Sequence, residues 1–336
     1  MKKIKRGDHK KVYSALLIND TRSDNHIGCQ LVVSNLIKEA SNNAIEISET
    51  ITTAELFRQD KDVLKILNKV KLTLVNGEGS LHDSKPRSIR ICELGELSKK
   101  ASKPTFLINS HWSNNSTCAH HLNIFDMCYF RDSTSLEEAN QYIKKGKARL
   151  SADLIFLSPK IKKNTNTTGI VVTDSVKKKK SIKLAKFAIK NNARFYPMSD
   201  SFNRKNKWNY PLRLALHLTK NKIPDDYYNT IPMETLIANS SCLITGRFHA
   251  ACLALLNDTP FIGVSSNTAK IEALCKDFDL KPAPIQNGLI TEQIIQETIN
   301  NHGKQISSIH QNLSAAKKRI RRMFTEIRDL VDVENF

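Results

Sequence analysis

The stretch CLITGRFHAACLALLNDTPFIGVSSNTAKIEAL, Cys242 to Leu274, decides the reading of this chain. Cys242 to Thr245 is apolar and β-branched, and Gly246 punctuates it. Ala250 to Leu256 is apolar on every side, so the pattern is a short buried strand running into a buried helix. Arg247 and His249 thereby fall at the N-terminus of that helix, where free backbone N–H groups favour anions. A cation and a titratable ring at such a place point to a small, negatively charged reactant. Asp258-Thr259-Pro260 closes the helix, Phe261 to Val264 reads as the next strand, and Lys270 opens the helix after it. Arg247, His249 and Lys270 then gather on one sheet edge.

Working outward, the same alternation recurs along the chain. Val12 to Ile18 reads as a strand, followed by the polar segment Asn19 to His26 and a helix from about Gly28 to Ala40. Further strands are expected at Ala44 to Ile47, Leu72 to Val75, Thr105 to Ile108, Asp126 to Phe130 and Leu154 to Phe156, with helices between them. Alternating strands and helices imply an α/β fold with a parallel sheet wound on both faces. Ser158 to Thr168 is polar, charged and poor in β-formers, which suits an interdomain linker. After it come a strand at Gly169 to Thr173, a helix at Ser181 to Asn191, a strand at Arg194 to Met198, and helices near Pro211 to Leu218 and Met233 to Ala238. The expected division is a first domain over 1–158, a second over 169–303, and a long amphipathic helix over 304–336. In that tail Ile306, Ile309, Leu313, Ala316, Ile320, Met323, Ile327 and Leu330 repeat at steps of three and four. Its polar side carries Lys317, Lys318, Arg319, Arg321 and Arg322. Packing back along its own protein is the plain reading; a coiled-coil dimer or a membrane-surface contact is the alternative.

The order of these features resembles the polysaccharide pyruvyl transferase family. Gly246-Arg247-Phe248-His249-Ala250, the helix, the strand after Pro260 and Lys270 are similar to its Gly-Arg-x-His-Ala signature. Upstream, Val75-Asn76-Gly77-Glu78-Gly79-Ser80-Leu81 resembles its glycine-rich turn after a strand. Tyr129-Phe130-Arg131-Asp132-Ser133 is similar to its strand-then-Arg-Asp-Ser element, and Ala152-Asp153 to its later aspartate. The resemblance runs in matching order from Asp20 to Leu274. Ser265-Ser266-Asn267 departs from it, since the family often has an aromatic and an acidic residue just before the lysine. The resemblance implies a GT-B-like architecture, two Rossmann-like domains facing a central cleft, with the acceptor on the first domain and the donor motif on the second. It also implies the reaction: pyruvate passes from phosphoenolpyruvate to two hydroxyls of a sugar, and phosphate leaves.

That chemistry assigns roles. His249 is expected to give a proton to the donor's methylene carbon, because its ring titrates near neutral pH beside an anion. Arg247 is expected to hold the phosphate, Arg131 to grip a carboxylate with its planar fork, and Lys270 to add a point charge to the leaving group. These four are the expected catalytic and phosphoenolpyruvate-binding residues. Taken alone, Arg131-Asp132 reads as a local ion pair, Ser133 with Glu137 as capping chemistry, and Lys270 as a solvated helix residue. Asp20, Arg22, Asp24 and His26 occupy the turn after the first strand, where doubly wound sheets bind ligands, so they are expected to bind the acceptor. Asp24 or His26 is the first choice of base, although Asp- and Asn-rich segments are ordinarily plain turns. Asn76, Glu78 and His82 lie in the corresponding place after another strand, with Glu78 and His82 as second-rank bases. The Asn76 to Ser80 turn is no phosphate-binding P-loop, because the Gly-Lys-Ser ending is missing.

Composition sets the rest. The chain has 336 residues, suited to two domains, and 40% of them are apolar. No apolar run approaches the roughly 18 residues of a spanning helix, and the basic start lacks an apolar signal core, so a soluble, cytoplasmic protein is expected. Seven cysteines without paired spacing read as reduced core residues. The pairs His26 with Cys29, and Cys118 with His120 and His121, match no zinc spacing, so neither a metal nor a resident cofactor is expected. A net charge of +19 favours anionic partners. No nucleic-acid recognition motif accompanies it, which leaves phosphorylated sugars, phosphoenolpyruvate and an anionic inner-membrane surface. The Lys177 to Lys180 run suits a diphosphate or, more plainly, a solvated face. The leading reading is a phosphoenolpyruvate-dependent pyruvyltransferase of surface-polysaccharide biosynthesis. Its acceptor sugar would be 3-deoxy-manno-octulosonic acid, lipid-linked, glycan-linked or nucleotide-activated. A nucleotide-sugar glycosyltransferase of the same architecture and a basic nucleic-acid- or membrane-binding module are the alternatives.

Overall fold

The computed structural model describes residues 11–24, 26–163, 169–198, 232–266, 268–281 and 289–333. The first part carries β1 (Tyr13–Asp20), α1 (Ile27–Asn42), β2 (Ile45–Thr52), α2 (Asp60–Leu67), β3 (Leu72–Asn76) and β4 (Leu81–His82). It continues with α3 (Pro86–Lys100), β5 (Thr105–Ser110), β6 (Trp112–Ser113), β7 (Met127–Phe130), α4 (Ser133–Ala139) and β8 (Ala148–Leu150). Six of these strands form one sheet in the order β2-β1-β3-β5-β7-β8, and every pairing is parallel. The short β4 and β6 pair separately. Strands β3 and β5 are buried throughout, as a parallel sheet covered on both faces requires.

The second part carries β9 (Ile170–Ser175), α5 (Lys178–Lys190), β10 (Arg194–Phe195), α6 (Met233–Ala238), β11 (Cys242–Gly246), α7 (Phe248–Leu256), β12 (Phe261–Gly263) and α8 (Lys270–Asp277). Its four strands form a parallel sheet in the order β10-β9-β11-β12. In each sheet the winding reverses once, between β1 and β3 in the first and between β9 and β11 in the second. Such reversals open a crevice at the carboxyl ends of the strands, and ligands of doubly wound sheets bind there. The fold is therefore GT-B-like, two parallel α/β sheets with a long helix behind them.

Two expectations change. Leu154 to Phe156 is no strand: Leu154–Leu157 is a 3-10 turn, opened by Asp153, whose carboxylate accepts from the Ile155 N–H at 2.9 Å. Three consecutive apolar residues fit either state when all are buried, and here they fill a gap against α1 and α7. The sheet edge is instead β8, four residues earlier. The tail helix, α9, spans Glu292–Val333 and so begins twelve residues before the expected 304. Ile295 and Thr298 are buried in that added portion, a continuation of the apolar stripe that the sequence period picks up only from Ile306. The expected helix at Pro211 to Leu218 lies outside the described residues, as do Asn25, Asn267 and the 164–168 part of the linker.

At 42 residues, α9 is about 63 Å long, enough to cross both sheets. Ile295 packs on one face of the second sheet, whereas Ile309, Leu313, Ala316, Ile320, Met323, Phe324, Ile327 and Val331 enter the largest core. That core also holds Ala15, Leu17, Leu72 and Leu74 of the first sheet and Val171, Leu243 and Leu253 of the second part. Polar ties fix the far end: Arg319 donates to Ser151 O at 3.0 Å, and Tyr13 donates to Asp332. Among the described residues no helix is both long and apolar enough to cross a membrane.

Candidate active site

The first crevice is built by the turns that leave β1 and β3. Asn76 ends β3, and Gly77 and Glu78 carry the chain out of the sheet, with Glu78 in the left-handed region at φ 36°. The Glu78 carboxylate is buried and accepts from Thr21 Oγ1 at 2.6 Å, from Cys29 Sγ at 3.0 Å and from Asn76 Nδ2 at 3.3 Å. Thr21 follows β1 and Cys29 lies in the first turn of α1. Three elements thus aim one carboxylate. Asn19 donates to Asn76 O at 2.6 Å and locks the two turns together.

The second crevice is built the same way. Arg247 is the N-cap of α7, with extended backbone, and its Nε donates to Asp174 Oδ2 at 2.9 Å. Asp174 comes from the end of β9 and is fully buried. This pair spans the β9/β11 reversal, so the guanidinium is oriented by a strand some seventy residues earlier in sequence. His249, two residues on, leaves the first turn of α7 and crosses to the other part of the molecule. Its Nε2 lies 3.7 Å from Glu78 Oε1 and 3.7 Å from Asp153 Oδ2.

The backbone of α1 packs directly on the His249 ring. A Cβ added at Gly28 would lie 2.4 Å from its Cβ, Cγ and Nδ1, so glycine is required by the contact. The ring of His26 meets His249 edge-on at 5.6 Å between centroids, and burial, with His249 and Arg247 adding to it, holds His26 well below the ordinary histidine range. Arg131, at the end of β7, donates to Asp153 Oδ2 at 2.8 Å and lies 4.0 Å over the Phe248 ring. Burial alone raises the Asp153 carboxyl, but His249 and Arg131 beside it bring it below the usual carboxylate range. Lys270 opens α8 and donates to Gly79 O across the crevices at 3.1 Å. Burial, aided by Arg131, lowers its ammonium to about 7, against the pull of Glu78 and Asp132.

The structure brings His249, Arg131, Lys270 and Glu78 into one continuous group, with Arg247 and Asp174 alongside. Arg131 is sealed, its side chain only 1% exposed, so it stands behind Asp153 rather than open to a ligand. The expected local pairs resolve differently. Asp132 does not hold Arg131; it caps α4 by accepting from Ser135 N at 2.8 Å. Ser133 and Glu137 instead reach the second part, Ser133 N donating to Asp277 at 3.0 Å and Glu137 pairing with Lys276 at 2.9 Å. Of the acceptor candidates, Asp20 is buried and held by Arg22 Nε at 3.0 Å. Asp24 pairs with Thr53 and with Arg87 at 3.3 Å, and His82 with Asp83 at 2.8 Å. These three stand around the first crevice, apart from His249.

Sequence reading misses His111. It follows β5 at the same crest, 3% exposed, with Nδ1 2.9 Å from Asp132 Oδ2 and Nε2 buried without a partner. Burial lowers it to about 4, with Lys270 and Arg131 opposing the pull of Asp132. Its one signal was position, directly after a buried strand. Asp174 was also invisible as a site residue, because its partner Arg247 lies far along the chain. Chemically the group offers a proton carrier faced by two carboxylates, an oriented guanidinium and a buried ammonium.

No curated protein sequence matches this chain. Among solved structures it is similar to TcCGT1 in complex with UDP, with TM-score 0.59, 10% identity, and coverage of 96% of this chain and 99% of that one. It is similar also to the UDP-N-acetylglucosamine 2-epimerase of Rickettsia bellii, with TM-score 0.58, 11% identity, and coverage of 96% and 98%. A third is Anabaena Alr3699/HepE in complex with UDP and glucose, at TM-score 0.54 and 9% identity, covering 96% of this chain and 100% of that one. At such identities the likeness is one of fold. The family model for polysaccharide pyruvyl transferase matches residues 26–268, from the start of α1 past β12 and thus across both sheets. With well over half its length matched and the Gly-Arg-x-His-Ala motif seated at the second crevice, the chain belongs to the polysaccharide pyruvyl transferase family.

Proposed function

We propose that this pyruvyltransferase takes its pyruvate from phosphoenolpyruvate and sets it as a ketal on two hydroxyls of a sugar. The observation that carries the reading is that His249 and Lys270 both reach the Glu78-Gly79 turn, while Arg247, two residues before His249, is aimed by Asp174; these are three groups suited to an enol phosphate. In the proposed reaction His249 protonates the methylene carbon, which becomes the methyl group and leaves C2 electron-poor. One sugar hydroxyl bonds to C2; the second displaces the phosphate. Of the two hydroxyl protons lost, one replaces the proton given by His249 and the other leaves with phosphate. Arg247, aimed by Asp174, holds the phosphate, and the Lys270 ammonium offsets charge as the bond between C2 and the phosphate oxygen breaks. Arg131 acts through Asp153, fixing the carboxylate that faces His249. Glu78, 3.7 Å from the same ring nitrogen and not bound to an arginine as Asp153 is, serves as the base. His26, Asp20, Arg22, Asp24, Asn76 and His82 then line the acceptor side.

A basic chain of +19 suits an anionic acceptor, and the acidic ulosonic sugar 3-deoxy-manno-octulosonic acid, lipid-linked, glycan-linked or nucleotide-activated, is the first to test. A phosphoenolpyruvate-dependent reaction suits the cytoplasm, and the exposed basic residues of α9, Lys318, Arg321 and Arg322, suit a peripheral membrane contact. The test is phosphate release. Purified chain should release phosphate from phosphoenolpyruvate only when an acceptor with a suitably spaced diol is present, one phosphate per ketal formed. Turnover with nucleotide sugars and none with phosphoenolpyruvate would replace this reading by a glycosyltransferase.

A further inference from the structure

Three soft-metal ligands meet at the start of α1, although the sequence spacing shows no metal pattern. His26 precedes the helix, Cys29 lies in its first turn, and His249 arrives from α7. One ligand atom from each lies within 4.8 Å of the others. Two ring nitrogens there, His26 Nδ1 and His249 Nε2, are buried without a hydrogen-bond partner, a costly state for a polar atom. Cys29 Sγ donates to Glu78 Oε1 at 3.0 Å, and that oxygen is 3.7 Å from His249 Nε2. A carboxylate oxygen therefore stands beside two of the three ligands, Cys29 and His249.

From this geometry we infer that His26, Cys29 and His249, with Glu78, form a binding site for a soft divalent cation of the zinc class. Imidazole and thiolate select that class against magnesium and calcium, which take oxygen ligands. The Cys29 proton leaves for solvent on binding. Thiolate and carboxylate together then balance the dication, so the buried group is neutral overall. Zinc bonds of roughly 2.0–2.3 Å set ligand separations of about 3.5 Å, so small side-chain adjustments bring the atoms to bonding distance. His26 and Cys29 are only half-buried, which gives the ion a way in. Three ligands come from the first part of the molecule and His249 from the second, so a bound ion ties α1 to α7. It also occupies the ring nitrogen that the proposed reaction needs for proton transfer. Binding stands on the ligand geometry alone; inhibition rests in addition on the role proposed for His249.

The test uses the full chain and Zn2+ alone, titrated in competition with a chromogenic chelator. One ion per chain should bind, and Cys29→Ser, which keeps a donor for Glu78, should weaken binding at least tenfold, as should His26→Ala. Replacing His120 and His121 with alanine should leave the affinity unchanged. No tight site, or equal affinity in Cys29→Ser, overturns the inference whatever the chain catalyses. In the phosphate-release assay, Zn2+ should inhibit wild type and lose at least tenfold in potency against Cys29→Ser, each compared with its own zinc-free rate. Zinc bound at full occupancy with undiminished turnover would overturn the inhibitory part.

Discussion

The His249 ring touches α1 and faces two carboxylates of the other sheet's crest. His249→Ala should lower kcat by about 10²–10⁴-fold, the usual worth of a positioned proton donor, while circular dichroism stays unchanged. Lys270 sets a pH limb. Its ammonium, lowered to about 7 by burial and Arg131, is lost from the free chain as pH rises through that value. kcat/KM for phosphoenolpyruvate should therefore fall about tenfold per pH unit above the limb, and Lys270→Arg, which does not titrate there, should hold its plateau. Stability moves the opposite way. Between about 7 and 10.5 the unfolded lysine holds more protons than the folded one, so stability rises with pH across that window. Lys270→Met should flatten the rise in denaturant titrations at pH 6, 8 and 10. Arg247, His249 and Lys270 could be named from sequence because motif and helix start lie within one short stretch. Asp174, Glu78 and His111 as their neighbours could not, since those pairings join strands far apart in sequence.

At the scale of elements, the contact between α1 and α7 is the tightest joint in the site. Gly28→Ala would drive a methyl into the His249 ring at 2.4 Å, so α1 must back away. The expected cost is about 1–3 kcal/mol, read from the denaturation midpoint, with a fall in kcat because the ring loses its seat. Strands were easy to place where β-branched runs end in turn residues, as at Leu72–Asn76 and Cys242–Gly246. Leu154 to Phe156 was misread because burial on all sides erases the period that separates strand from helix. The side-chain cap that decides it, Asp153 to Ile155 N, is a two-residue contact that hydrophobic pattern does not encode.

For the whole molecule, α9 makes the two sheets share one core. Ile327→Ala should cost about 2–5 kcal/mol and shift a single calorimetric transition, because the cluster it leaves holds residues of both parts. The two-sheet plan was readable from strand–helix alternation and the facing of the two domains from the family resemblance; the ties that hold the crevices together, such as Lys270 to Gly79 and Ser133 to Asp277, were not, because they join residues far apart in sequence. The anion site proposed for Arg247, His249 and Lys270 depends on that facing. Calorimetric titration of phosphoenolpyruvate into wild type and Arg247→Ala tests it most directly. One site per chain, weakened at least tenfold by the substitution, is the predicted result; no binding to wild type, or equal binding to both, would contradict it.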